Sequence, residues 1–239
     1  MTETPRAPDV FQAPFQLPSE SPSEPPFEPP YAVQFRGSRL CAFLVRCIGW
    51  RYDFHGLPTQ QGVIIGYPHT SNWDFVVVML AKWAMGVPVQ FFAKQSLFRF
   101  PLFGPWLRSL GGMPIDRSSP RGVVGEMVNT LVQSKKEGRY FWVGLSPEGT
   151  RKRTEGWKSG FYQLALQADV PLGFLVIDYG KKTIGLSHFM RLSGDPQADY
   201  QRFVDIYAGV QGFHVQQGSP IQPLKTAAPT AVSSPIQPT

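Results

Sequence analysis

The chain has 239 residues, 42% hydrophobic and 17% charged, which supplies the apolar material for one sizeable domain and excludes a wholly disordered protein. Residues 1–30 hold one base and five acids, so the remainder carries 22 bases against 12 acids, a net charge of +10. A body this basic suits an anionic partner: lipid headgroups, a phosphorylated substrate or nucleic acid.

Nine of the 24 prolines fall in the first thirty residues, and five more lie between 220 and 238. Residues 1–35 and 215–239 therefore read as disordered, proline-rich tails around one domain at 36–214. The acidic start lacks the basic-then-apolar order of a secretory leader. Ser38–Trp50 predicts a short helix with Leu40, Phe43, Leu44 and Cys47 as its apolar stripe, flanked by Arg36, Arg39, Arg46 and Arg51. Such a helix fits either packing on the core or lying in the interface of an anionic membrane. Cys41 and Cys47 fall on different faces of that helix, so no disulfide is expected between them and the chain reads as a reduced, cytosolic protein.

Strands and helices then alternate. Gly62–Tyr67 predicts a buried strand and Asn72–Met85 a helix; Val87–Ala93 is a second strand, Phe100–Leu110 a very apolar segment around two prolines, and Met113–Asp116 a third strand. A helix over Ser119–Lys136, a strand over Tyr140–Leu145 and a helix over Trp157–Ala168 come next. Strands at Leu172–Asp178 and Thr183–His188 and a last helix from Pro196 to Val210 complete the series. This alternation predicts an α/β fold, a mixed and mostly parallel sheet flanked by helices. The most apolar stretch, Phe75–Ala93, carries Lys82 and is broken by Gly86 and Pro88, so no membrane span is expected.

Three constellations carry chemistry. Pro68–Asp74 lies after a strand, the usual place for a ligand in such sheets. There His69 suits a general base, and Asp74, five residues on, converges with it only if the histidine precedes the helix and the aspartate opens it. Ser71-x-x-Asp74 is also a helix-capping pattern. Gly111–Arg117 pairs a glycine turn with an arginine able to grip an oxyanion bidentately. Ser146–Arg151 places Arg151 beside Gly149, with Lys152, Arg153 and Lys158 near, as a phosphate site or a basic loop. Gly144–Gly149 imitates a hydrolase nucleophile elbow, with Asp178 and His188 coming after it in hydrolase order. Its second glycine is one residue late, however, and Pro147 has no N–H to give an oxyanion hole. Dinucleotide and P-loop glycine motifs are absent, and the histidines are too scattered for a metal cluster.

In their order, these segments resemble the glycerolipid acyltransferase superfamily typified by 1-acylglycerol-3-phosphate acyltransferases. His69…Asp74 is similar to its H-x-x-x-x-D motif, Gly112–Arg117 to its second block, Pro147-Glu148-Gly149-Thr150-Arg151 to its third, and Val170-Pro171-Leu172 to its fourth. Ala93-Lys94, Pro101–Gly104 and Leu110-Gly111 also fit, and the likeness spans roughly 60–190. The resemblance implies transfer of a fatty acyl group from acyl-CoA or acyl-carrier protein to a hydroxyl of a lysophospholipid or other lysolipid, without a further cofactor, metal or nucleic acid. His69 is then the base, Asp74 its orienter, and Lys94, Gly112, Arg117, Glu148, Gly149, Thr150 and Arg151 bind the acceptor. Ser146 and Pro114 depart from the family's usual bulky residues, which bears on the acceptor: lysophosphatidate by default, a lyso-amino-acid lipid as the alternative. A non-catalytic lipid-binding module is the alternative from another class, and intact His69 and Asp74 argue against it. With no span expected, such an enzyme docks peripherally on the inner face of a membrane, through Ser38–Trp50 and the apolar stretch Leu97–Trp106.

Overall fold

The computed structural model describes residues 27–115 and 120–224. Within them, strands β1 (Arg51–Phe54), β2 (Gln61–Tyr67), β3 (Val89–Lys94), β4 (Gly112–Ile115), β5 (Phe141–Leu145), β6 (Leu172–Asp178) and β7 (Thr183–Met190) form one sheet. The helices are α1 (Arg39–Cys47), α2 (Trp73–Met85), α3 (Phe103–Ser109), α4 (Pro120–Lys136), α5 (Gly160–Gln167) and α6 (Pro196–Ile206). The strand order is β1-β7-β6-β2-β5-β3-β4. Every pairing is parallel except β6 with β7. The expected α/β fold with a mixed, mostly parallel sheet is the one observed.

Both faces of the sheet are covered, which is why its central strands are apolar runs rather than alternations. Val63 and Ile65 of β2 face a core built with Leu131 of α4, Phe161 of α5 and Phe203 of α6. Ile64, between them, faces the opposite core with Val45 of α1 and Val77 and Ala81 of α2. The third helix joins that second face. Phe91 of β3 packs against Phe75 of α2 with ring centroids 5.7 Å apart, and its register partner Gly112 lies under Leu107 of α3.

Two sequence expectations are corrected at their edges. Residues 27–35 are not a tail: Tyr31 is buried and its hydroxyl donates to the Ser187 carbonyl at 2.7 Å, while Val33 bridges Leu57. Residues 215–224 are likewise folded, with Trp157 N–H donating to Gln222 O and Leu224 N–H to Trp157 O, each at 2.8 Å. Backbone pairing with the domain holds both segments despite their proline content. Residues 1–26 and 225–239 lie outside the described residues. The sequence also hid β1, whose four residues pair at the sheet edge with β7.

The first helix turns its periodicity the other way round. Cys41, Ala42 and Val45 face inward, while Leu40 is 67% and Phe43 61% exposed, with Leu44, Cys47 and Ile48 also outward. Both cysteines are free. Along Leu97–Trp106 only Phe98 and Gly104 are buried; Phe100, Leu102, Phe103 and Trp106 are exposed. Trp73, Val76 and Trp83 of α2 are exposed as well. No helix among the described residues is long and apolar enough to cross a membrane.

Candidate active site

Because β2, β3, β4, β5 and β6 run in one direction, their carboxyl ends meet at a single edge of the sheet. The loops after β2 and β5 are neighbours there, since Ile65 registers with Leu145. That edge collects His69, Lys94, Glu148 and, past β6, Tyr179.

His69 lies just before α2 and Asp74 in its first turn, the one arrangement in which the two converge. Nδ1 of His69 is 3.0 Å from Oδ2 of Asp74. The same oxygen accepts the backbone N–H groups of Thr70 (2.8 Å) and Ser71 (2.9 Å), and Oδ1 accepts the Tyr179 hydroxyl (2.8 Å). The capping pattern is therefore real too: Asp74 holds the helix entry and the histidine at once, while Ser71 Oγ accepts the Trp73 N–H. Asp74 is 1% exposed. Burial alone would raise its pKa, but the hydrogen bonds from His69, Ser71 and Tyr179 outweigh it and leave the carboxyl below its ordinary value. An ionised carboxylate only accepts, so Nδ1 carries the proton and Nε2 the lone pair. The His69 side chain is 27% exposed, open enough to meet a substrate.

Glu148 has a different place from the one expected. It is 1% exposed and both its oxygens are occupied, Oε2 by the His69 backbone N–H at 2.6 Å and Oε1 by the Ser219 N–H at 2.9 Å. It holds the histidine's backbone and does not reach into the site as an acceptor ligand. Burial pushes its pKa up against the pull of these donors. Gly112 has a packing role: a Cβ there would lie 2.7 Å from the Leu107 carbonyl, so the glycine lets α3 close on β4. Gly149 turns the loop after β5 at φ +66, beside Lys158.

Thr150 is half-buried, with Oγ1 accepting the Lys152 N–H, and Arg151 is exposed. Lys94 is exposed at the end of β3, in register with Ile115, the last residue of β4. Arg117, two residues further, lies outside the described residues. The hydrolase-like set does not assemble: Ser146 Oγ is buried without a hydrogen-bond partner among the described residues, and His188 is exposed on β7 beside Ser187.

Sequence reasoning missed Tyr179 and the segment 211–219, which straps the loops after β2 and β5 together. His214 N–H donates to Thr70 Oγ1 (3.1 Å), the Tyr67 hydroxyl to Ser219 O (3.0 Å), and Arg153 to Gly218 O (2.8 Å). These bonds use main-chain atoms on the strap, which leave no side-chain signature.

Comparison with known proteins gives a family model, described as acyltransferase, over residues 51–177. A 1-acyl-sn-glycerol-3-phosphate acyltransferase of Bacillus subtilis is 26% identical over 155 residues, 62% of this chain and 74% of that protein. One of Streptococcus pneumoniae is 30% identical over 138 residues, 55% of this chain and 48% of that protein, so the chain spans about half of that relative's length. A solved 1-acyl-sn-glycerophosphate acyltransferase from Thermotoga maritima is 18% identical with a TM-score of 0.41, covering 70% of this chain and 72% of that one.

Proposed function

Since the chain belongs to the acyltransferase family, we propose that it moves a fatty acyl group from a thioester donor, acyl-CoA or acyl-carrier protein, to a hydroxyl of a lysophospholipid. The observation that carries this reading is the 3.0 Å contact of His69 Nδ1 with Asp74, which leaves Nε2 as the proton acceptor. Nε2 takes the acceptor's hydroxyl proton as its oxygen attacks the thioester carbonyl. Collapse of the tetrahedral intermediate breaks the C–S bond, and the imidazolium returns its proton to the departing thiolate. The thioester is already activated, so the reaction draws on no acyl-enzyme and no cofactor beyond its co-substrate. Asp74 stabilises the imidazolium between the two proton transfers. The test is a screen of lysophosphatidate and other lysolipids, lyso-amino-acid lipids among them, with labelled acyl-CoA and read by lipid mass spectrometry. No labelled lipid from any acceptor rejects the reading.

The acceptor phosphate fits the cations at this edge, with Arg151 and Arg117 as bidentate ligands and Lys94 in support; Gly149 and Thr150 shape the loop beside Arg151. With a phosphorylated acceptor, Arg151→Lys should raise KM about tenfold while changing kcat little, because a lysine loses the two-pronged grip. Arg117→Lys should do the same. Unchanged KM in both variants removes the phosphate site.

The lysolipid acceptor and its acylated product belong to a bilayer, and we place the mouth of the site on the inner face of one. The exposed apolar residues of α1 and Leu97–Trp106, with Arg36, Arg39 and Arg46 also exposed, support this placement. Each base near an anionic surface contributes about 1 kcal/mol. Co-sedimentation with anionic vesicles should therefore fall with added salt, and about tenfold or more in the Arg39→Glu, Arg46→Glu double variant. Equal recovery in the supernatant with and without vesicles at low salt would reject docking.

A further inference from the structure

Tyr179 comes directly after the last residue of β6, two positions past the end of the family match at residue 177. It is tied down on every side. Its backbone N–H donates to Gln211 O at 2.8 Å, and its ring meets Trp50 edge-on at 4.8 Å and Phe213 at 5.3 Å between centroids. So fixed, its hydroxyl donates to Oδ1 of Asp74 at 2.8 Å, whereas the backbone N–H groups of Thr70 and Ser71 go to Oδ2. We propose that Tyr179 is a positioning residue for the catalytic pair, fixing the Asp74 carboxylate and setting how strongly it binds the His69 imidazolium.

The chemistry depends on which oxygen is served. Oδ2 receives His69 Nδ1 and two backbone N–H groups, so the helix entry holds that oxygen without help. Tyr179 supplies the fourth hydrogen bond, from the turn just past β6, and draws negative charge toward Oδ1. Burial, then the Asp74 carboxylate, push the Tyr179 phenol above its ordinary pKa, so it stays protonated and donating. Without it, the carboxylate is more basic and holds the imidazolium more tightly. His69 then takes up its proton at higher pH, and less neutral base is present at any given pH. Other ionisable groups lie close to the pair and are untouched by a change at Tyr179. Glu148, from the loop after β5, accepts the backbone N–H of His69; Tyr67, ending β2, donates to Ser219 O; His214, on the strap, reaches Thr70 through its own backbone N–H.

This inference rests on His69 being the base, and the experiment separates the two. Tyr179→Phe keeps the ring between Trp50 and Phe213 and removes only the hydroxyl. We expect the His69 imidazole, followed by NMR in the full chain, to titrate roughly half to one pH unit higher than in the unsubstituted protein. Turnover on the acid side should fall about threefold to tenfold with KM nearly unchanged, and recover as the pH is raised. A loss of turnover equal at all pH values, with an unmoved His69 titration, makes the tyrosine merely structural and overturns the proposal. So do superimposable profiles. If the unsubstituted protein transfers no acyl group, the function reading fails, and the NMR titration still decides the role of Tyr179.

Discussion

Replacing His69 with alanine should lower acyl transfer by about two to four orders of magnitude, the range in which a positioned general base acts. The fold should survive, because the side chain is partly exposed and its hydrogen bond is to Asp74. The backbone N–H that Glu148 holds remains in the variant. Asp74→Asn should be nearly as damaging by another route. The amide offers only one acceptor oxygen to a position that serves Nδ1, two backbone N–H groups and the Tyr179 hydroxyl, and its NH2 turns a donor against one of them. It also removes the charge that steadies the imidazolium. Stability tells the two variants apart. The folded pKa of Asp74 lies below the ordinary 3.8. Its ionised form therefore stabilises the protein fully above that value, and the contribution is lost as the pH falls through the folded pKa. Asp74→Asn should lower the melting temperature at neutral pH and converge with the parent in acid; His69→Ala, which removes one of the hydrogen bonds to that carboxylate and leaves the others in place, should lower it less. Near-normal turnover in purified, folded His69→Ala ends the general-base assignment.

How much of the fold and site was legible in the sequence depended on distance along the chain. His69 and Asp74 lie within five residues, and a strand leading into a helix confines them locally, so their convergence could be read from spacing. The strand Leu172–Asp178 was legible end to end, because both its faces are buried and turn residues bound it. The first helix was legible as a helix but not in its orientation. Periodicity reports an apolar stripe, yet Leu40 and Phe43 lie outward and the smaller Cys41, Ala42 and Val45 meet α2. Glu148 looked like a loop carboxylate beside arginines, and only the sheet order brings it under His69, 79 residues away. The strap was lost to its composition. Prolines and glycines signal a chain that cannot build a core, but Ser219 and Leu224 attach through main-chain bonds, and composition does not register those.

Glu148→Ala should be the most destabilising single change at this edge, and comparing it with Glu148→Gln separates holding the fold from holding the base. Alanine strands the N–H groups of His69 and Ser219 at a site that is 1% exposed. Each such orphan costs about 1–3 kcal/mol, so the loss should be about 2–6 kcal/mol, a drop of roughly 4–24 °C in melting temperature for a domain this size. The carboxylate itself is not an asset to stability. Its folded pKa is raised above the ordinary 4.5 by burial. Its contribution is therefore fully present only below that value and is lost as the pH rises through the folded pKa, leaving the ionised group a net cost at neutral pH. Glutamine removes that cost and keeps one acceptor oxygen, so its melting temperature should stay much closer to the parent's. Its NH2, however, faces one of the two N–H donors, and whichever is displaced loosens either His69 or the strap that crosses Thr70. Turnover should then fall about tenfold to a hundredfold, since small misplacements of a reacting group are that costly. Thermal unfolding and acyl-transfer rates measured on both variants decide the matter. An unchanged melting temperature in Glu148→Ala would show the two N–H groups finding other partners. Full turnover in Glu148→Gln would show that His69 needs no anchor beneath it.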